Sequence, residues 1–214
     1  DSSFAPFEFL AEDGKNFTGF DMDLIRAIGK ELGYKVVVQN MGFDATVPAL
    51  RTGIVDAVIA GMTINEKRKK FVDFSDPYYT SGLIIMVPSS DTTTKSIKDL
   101  EGKKIGVQLG TTGDIYAGDI KDATVERYNK GFEAVQALAQ GKIDAVVIDG
   151  EPAKVFVKEN EGLKMLDEAF TEEDYAIAVA KGNDELLDKI NTALGELKDS
   201  GELDKIVDKY ITAE

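Results

Sequence analysis

Apolar positions along this chain follow two periods. Over "DMDLIRAIGKELG" they recur at Leu24, Ile25, Ile28 and Leu32, which predicts an amphipathic helix ended by Gly33. Shorter segments, "YKVVVQN", "DAVIAG", "KKIGVQ", "TVERYN" and "DYAIAVAKG", predict strands. "TGDIYAGDI" and "EPAKVFVKEN" read as helices, the second with Pro152 in its first turn, where a missing N–H is harmless. Two more helices follow in "DELLDKINTALGELKDSG" and "ELDKIVDKYI".

One pattern occurs twice. "GFDATVPALRTGIVDAVIAG" (Gly42 to Gly61) and "GFEAVQALAQGKIDAVVIDG" (Gly131 to Gly150) share Gly-Phe-acid-Ala, then Ala-Leu, then Gly, then Asp-Ala-Val, about ninety residues apart. Each copy predicts a helix closed by a glycine, Gly53 or Gly141, and then a buried strand. Apolar runs without alternation suit parallel strands covered on both faces.

Between the copies, "PSSDTTTKS" is a polar loop that marks a change of domain. The expected organisation is α/β with two Rossmann-like lobes. Residues 1–82 and 177–214 form a discontinuous lobe 1, and residues 83–176 form lobe 2. Two crossing strands would make a hinge, with a ligand in the inter-lobe cleft, beyond the carboxyl ends of the strands.

Composition narrows the chemistry. With no cysteine and no histidine, thiol catalysis, disulfides, most zinc and iron sites and the usual general base are excluded. No metal and no cofactor is expected. A net charge of −14 argues against a nucleic-acid or anionic-membrane partner, which needs a cationic face. No apolar run reaches the length of a membrane span; "GLIIMV" is strand-sized. The start at "DSSFAPFEF", without Met, fits a mature or trimmed chain.

Against that acidity, four cations crowd Lys67 to Lys70 in "GMTINEKRKKFVDFSDPYYTSG". A charge run is usually a solvated helix face. A planar guanidinium at Arg68 would also suit a small carboxylate, through two parallel charged hydrogen bonds. "GTTG" (Gly110 to Gly113), between a predicted strand and helix, offers backbone N–H groups to an anion or is simply a cap. Asp149, ending the second repeat's strand, could face a cation or cap the helix behind it.

Together "DSSFAPFEF", "GFDMDLIRAIGKELG", "FDATVPAL", "AGMTINEKRKKFVDFSDPYYTSG", "KIGVQLGTTG" and "DAVVIDGEP" resemble the polar amino-acid-binding proteins of bacterial ABC transporters. These are solute-binding proteins of family 3 with a type II periplasmic-binding-protein fold. The resemblance implies a strand before the position of Asp1 that this sequence does not contain. It implies that Arg68 pairs with the ligand α-carboxylate, with Thr63 and the Thr112 N–H donating beside it and Thr111 nearby. The Gly61 carbonyl and Asp149 would take the α-ammonium. Phe4 and Phe43 would sandwich the ligand side chain, and Asp1 and Gln108 would set specificity. Lys67, Lys69 and Lys70 stay solvated.

The implied function is capture of a polar L-amino acid for a membrane permease of an ABC transporter. Arginine or another basic amino acid comes first and glutamine second: neutral Gln108 tolerates either, and it stands where some glutamine-binding relatives carry a lysine. The expectation is a monomeric, non-catalytic protein in the periplasm or at the extracellular face of the membrane, with a lipid anchor as one option. A cyclohexadienyl-dehydratase-like enzyme shares the fold and would need a protonated carboxyl, for which Glu151 is the candidate. A ligand-sensing domain of a receptor is the other alternative.

Overall fold

A computed structural model of the chain describes residues 2–211, and its contacts divide them into two units. Unit 1 holds residues up to Thr80 and from Asp174 onward; unit 2 runs from Ser81 to Glu173. The breaks drawn from the sequence fall two residues later at the first crossing and three later at the second.

The first stretch of unit 1 contains β1 (Ser3–Phe4), β2 (Glu8–Leu10) and β3 (Phe17–Thr18), an antiparallel three-stranded sheet. It continues through α1 (Phe20–Glu31), α2 (Phe43–Arg51), β4 (Ala57–Val58), α3 (Glu66–Lys69), β5 (Val72–Phe74) and β6 (Tyr79–Ser81). The periodic positions of α1 behave as expected: Leu24 and Ile28 are buried, and Ile25 and Leu32 half-buried. Unit 2 contains β7 (Leu83–Pro88), β8 (Lys104–Gln108), α4 (Thr112–Gly118), β9 (Thr124–Tyr128), α5 (Gly131–Ala139), β10 (Ala145–Asp149), α6 (Gly150–Glu159) and β11 (Leu163–Met165). The chain returns along β12 (Glu173–Tyr175), which pairs with β6, and closes unit 1 with β13 (Ala178–Ala180), α7 (Asp184–Asp199) and α8 (Glu202–Tyr210).

Unit 2 is built on one sheet of order β11-β7-β10-β8-β9. β8 runs parallel to both β9 and β10, and β10 is buried at all five positions. The second repeat strand is therefore covered as expected, but it is parallel only to β8 and antiparallel to β7 on its other side. The first departs further from the expectation. β4 is only Ala57–Val58, and its partner β13 is antiparallel. The late segment β13 sits between β4 and β5, so residues far apart in sequence complete the unit 1 core around Leu50, Val58, Met62, Val72 and Ala178.

"YKVVVQN" is not a strand. Residues 34–40 make no ladder, and Val37 is 72% exposed. A groove of about 310 Å³ is lined by Val36 and Val38 of this segment together with Ile28, Ile54 and Ala57.

The repeat holds at the level of single hydrogen bonds. After α2, Gly53 N–H donates to Leu50 O at 3.2 Å and Ile54 N–H to Ala49 O at 2.9 Å. After α5, Gly141 N–H donates to Leu138 O at 3.0 Å and Lys142 N–H to Ala137 O at 3.0 Å. Both are Schellman closures, with glycine φ of 73° and 67°. A Cβ would meet nothing within 4 Å at either glycine, so a substitution there costs backbone strain alone. Gly53→Ala and Gly141→Ala should each cost about 1–2 kcal/mol and add to within about 0.5 kcal/mol, checked by urea unfolding.

Candidate functional site

Unit 1 gathers five of the predicted residues. Of Lys67, Arg68, Lys69 and Lys70, only Arg68 is buried. The reason is local: α3 is a single turn whose N-cap Asn65 accepts the Arg68 N–H at 2.8 Å, which turns this one side chain inward. Its Nη1 donates to Thr63 O at 2.6 Å, and the guanidinium lies 5.2 Å from the Phe43 ring centroid. Lys69 faces solvent and pairs with Glu66 at 2.8 Å.

Thr63 is buried and bridges antiparallel to Tyr175, and Ala176 N–H donates to Met62 O at 3.1 Å. Gly61 turns with φ 51°, a conformation an L side chain resists. A Cβ there would stand 3.0 Å from the Phe4 ring and 3.3 Å from the Tyr175 ring. Phe4, Gly61 and Tyr175 thus pack together, beside the Thr63–Arg68–Phe43 group. Phe4 also stacks on Phe7 at 6.0 Å, so it has a core role as well.

Unit 2 gathers the others. Gln108 ends β8 and Asp149 ends β10, and these strands are parallel neighbours, so both residues stand at one carboxyl edge of the sheet. Both are buried. Thr111 caps α4: its Oγ1 donates to Gln108 O at 2.8 Å and accepts the Asp114 N–H at 3.2 Å. Thr112, buried, is the first residue of α4, where the helix ladder does not use the N–H. Asp149 sits at the N-cap of α6 but its side chain makes no cap hydrogen bond. Asp1 lies outside the described residues.

Sequence reasoning missed Asp114, Tyr175 and Asp21. Asp114 Oδ2 accepts the Gly110 N–H at 3.0 Å and Oδ1 accepts from Arg127 Nε at 2.8 Å, which ties the "GTTG" loop to the helix and to β9. The pattern Thr111-x-x-Asp114, a cap with an acid three residues on, was the available signal. Asp21 was readable as an acid on the apolar stripe of α1, four residues before Ile25 and seven before Ile28. Tyr175 gave no signal, since only tertiary pairing brings it to Gly61. The groove beside residues 34–40 is lined by none of the candidate residues, and its walls are mostly aliphatic.

The two partners of Asp114 are unequal. Asp114→Ala removes the carboxylate from both the Gly110 N–H and Arg127, whereas Arg127→Ala removes only the second bond, at a side chain that is 47% exposed. Asp114→Ala should cost about 2 kcal/mol of unit 2 stability and Arg127→Ala about 0–1 kcal/mol. Urea unfolding of the two variants measures the difference, and equal losses would contradict the assignment.

Residues 1–213 match the Bacterial extracellular solute-binding proteins, family 3. The arginine-binding extracellular protein ArtP of Bacillus subtilis (strain 168) is 37% identical over 218 residues, covering all of this chain and 84% of that protein. An ancestral arginine-binding protein solved with arginine bound is 48% identical, with TM-score 0.93 and coverage of 99% and 95%. Its glutamine-bound structure gives 47%, 0.92, 100% and 96%. The ancestral amino acid-binding protein AncCDT-1, a precursor of cyclohexadienyl dehydratase, is 39% identical with TM-score 0.92, covering 99% and 93%. Among the described residues no helix is long and apolar enough to cross a membrane. With the family description spanning nearly the whole chain, and relatives matched over most of their own length, this chain belongs to the bacterial extracellular solute-binding proteins, family 3.

Proposed function

We propose that this protein captures an L-amino acid, arginine first and glutamine second, at the outer face of the cell membrane and delivers it unchanged to an ABC-transporter permease. The observation that carries the reading is the burial of Arg68 alone among four neighbouring cations, its guanidinium held against Phe43 and Thr63. In this reading Arg68, the Thr63 side chain and the Thr112 N–H take the ligand carboxylate, with Thr111 shaping the loop. Asp149 and the Gly61 carbonyl take the ammonium. Phe4 and Phe43 flank the side chain, and Gln108 meets its end. A guanidinium against aromatic faces gains about 0.5–2 kcal/mol that an amide does not, which favours arginine. The relatives named for arginine support the same order.

The dehydratase alternative needs a carboxyl that holds a proton for a leaving group. Its candidate Glu151 instead receives Lys154 Nζ at 2.9 Å, an ion pair that keeps the carboxylate occupied as an acceptor. That geometry favours binding without chemistry.

Calorimetric titration tests the reading. Arginine should bind at least about ten-fold tighter than glutamine. Arg68→Lys should fold and lose about 2–3 kcal/mol of binding, since an ammonium cannot make the paired contact. Asp149→Asn should weaken both ligands by a common factor. A variant at Asp149 that changed the preference and spared one ligand would move Asp149 to the side-chain end.

A further inference from the structure

Asp21 is fully buried in the first turn of α1, and its Oδ2 accepts the Gly61 N–H at 2.7 Å. Its Oδ1 has no hydrogen-bond partner of ordinary geometry among the described residues. The Tyr78 hydroxyl and the Glu8 carboxyl are its polar neighbours. Burial, followed by the charges of Asp21 and Glu8, pushes the Tyr78 phenol well above its ordinary value, so it stays a neutral hydroxyl. Burial pushes the Asp21 carboxyl up to about 6, and the Gly61 N–H is the largest influence opposing that rise. A carboxylate placed so deep is costly unless a specific bond uses it.

The bond reaches from a helix to a strand-end turn. Around that turn, Met62 O accepts from Ala176 N–H and Thr63 O from Arg68 Nη1. Asp21 fixes the other side, at the N–H of the residue whose φ is 51° and which packs against Phe4 and Tyr175. With the neighbouring groups committed in this way, the turn has one arrangement, and the direction of the Gly61 carbonyl follows from it. Resting on the ligand reading above, we infer that Asp21 is a positioning residue: through its bond to the Gly61 N–H it aims the carbonyl that receives the ligand ammonium, and so sets affinity for the part common to every L-amino acid.

The test uses L-arginine and L-glutamine titrated calorimetrically into the parent and four variants, below their melting temperatures. Asp21→Leu is near-isosteric, removes the buried charge and takes away the carboxylate that accepts the Gly61 N–H. It should raise Kd by about ten-fold or more, by the same factor for both ligands, even where its melting temperature holds or rises. Asp21→Asn keeps an acceptor oxygen and should stay within about three-fold of the parent. Leu24→Ala, on the same helix and equally buried, should lower the melting temperature and stay within about three-fold in Kd. Asp21→Ala carries the measurement if the leucine variant does not fold. Parent-like affinity in the leucine variant, or an asparagine variant as weak as it, overturns the inference while the ligand reading stands. A parent that binds neither amino acid overturns both.

Discussion

A buried guanidinium needs acceptors and a π face supplied by the fold, and Arg68 shows how much of unit 1 answers to that need. Its Nη1 takes Thr63 O, so the strand-end turn must present a carbonyl there. Its plane lies over Phe43, the first residue of α2, so that helix must start there. Its own N–H is held by Asn65, which makes α3 a single turn that points one side chain inward and three out. Losing one of these partners would leave a desolvated charge, which is far costlier than losing a surface ion pair.

The same economy recurs with the sign reversed. In each unit an aspartate in the first turn of a helix reaches to the N–H of a left-handed glycine in a strand-end loop: Asp21 to Gly61, and Asp114 to Gly110. Helix N-termini favour a carboxylate, and a loop glycine offers an N–H that no ladder uses. The two candidate backbone contacts, the Gly61 carbonyl and the Thr112 N–H, therefore lie in or next to turns held by buried acids, in a protein with neither histidine nor cysteine.

Several features were legible along the chain because they are local. The two Schellman closures follow from a glycine at a fixed offset from an apolar helix face, and both occur at the expected residues. Arg68 was separated from its lysine neighbours by the family resemblance of the flanking motifs, with which its planar, bidentate chemistry is consistent. The strand at residues 34–40 failed for a non-local reason. Its β-branched pattern is genuine, but a strand exists only beside another, and residues 34–40 pair with none of the described strands.

By itself, the sequence determined the α-β repeat, the helix ends and the separation into two α/β units. These depend on spacing of 2 and 3.6 residues and on single-residue backbone preferences, which act within a few positions. Only the tertiary structure decided that β13 enters between β4 and β5, that the first repeat strand pairs antiparallel, that Tyr175 lies against Gly61, and that Asp21 accepts the Gly61 N–H. Each joins residues from 40 to more than 100 positions apart. Which distant groups meet is set by burying apolar surface and pairing every buried polar atom at once, a condition no local window of sequence contains.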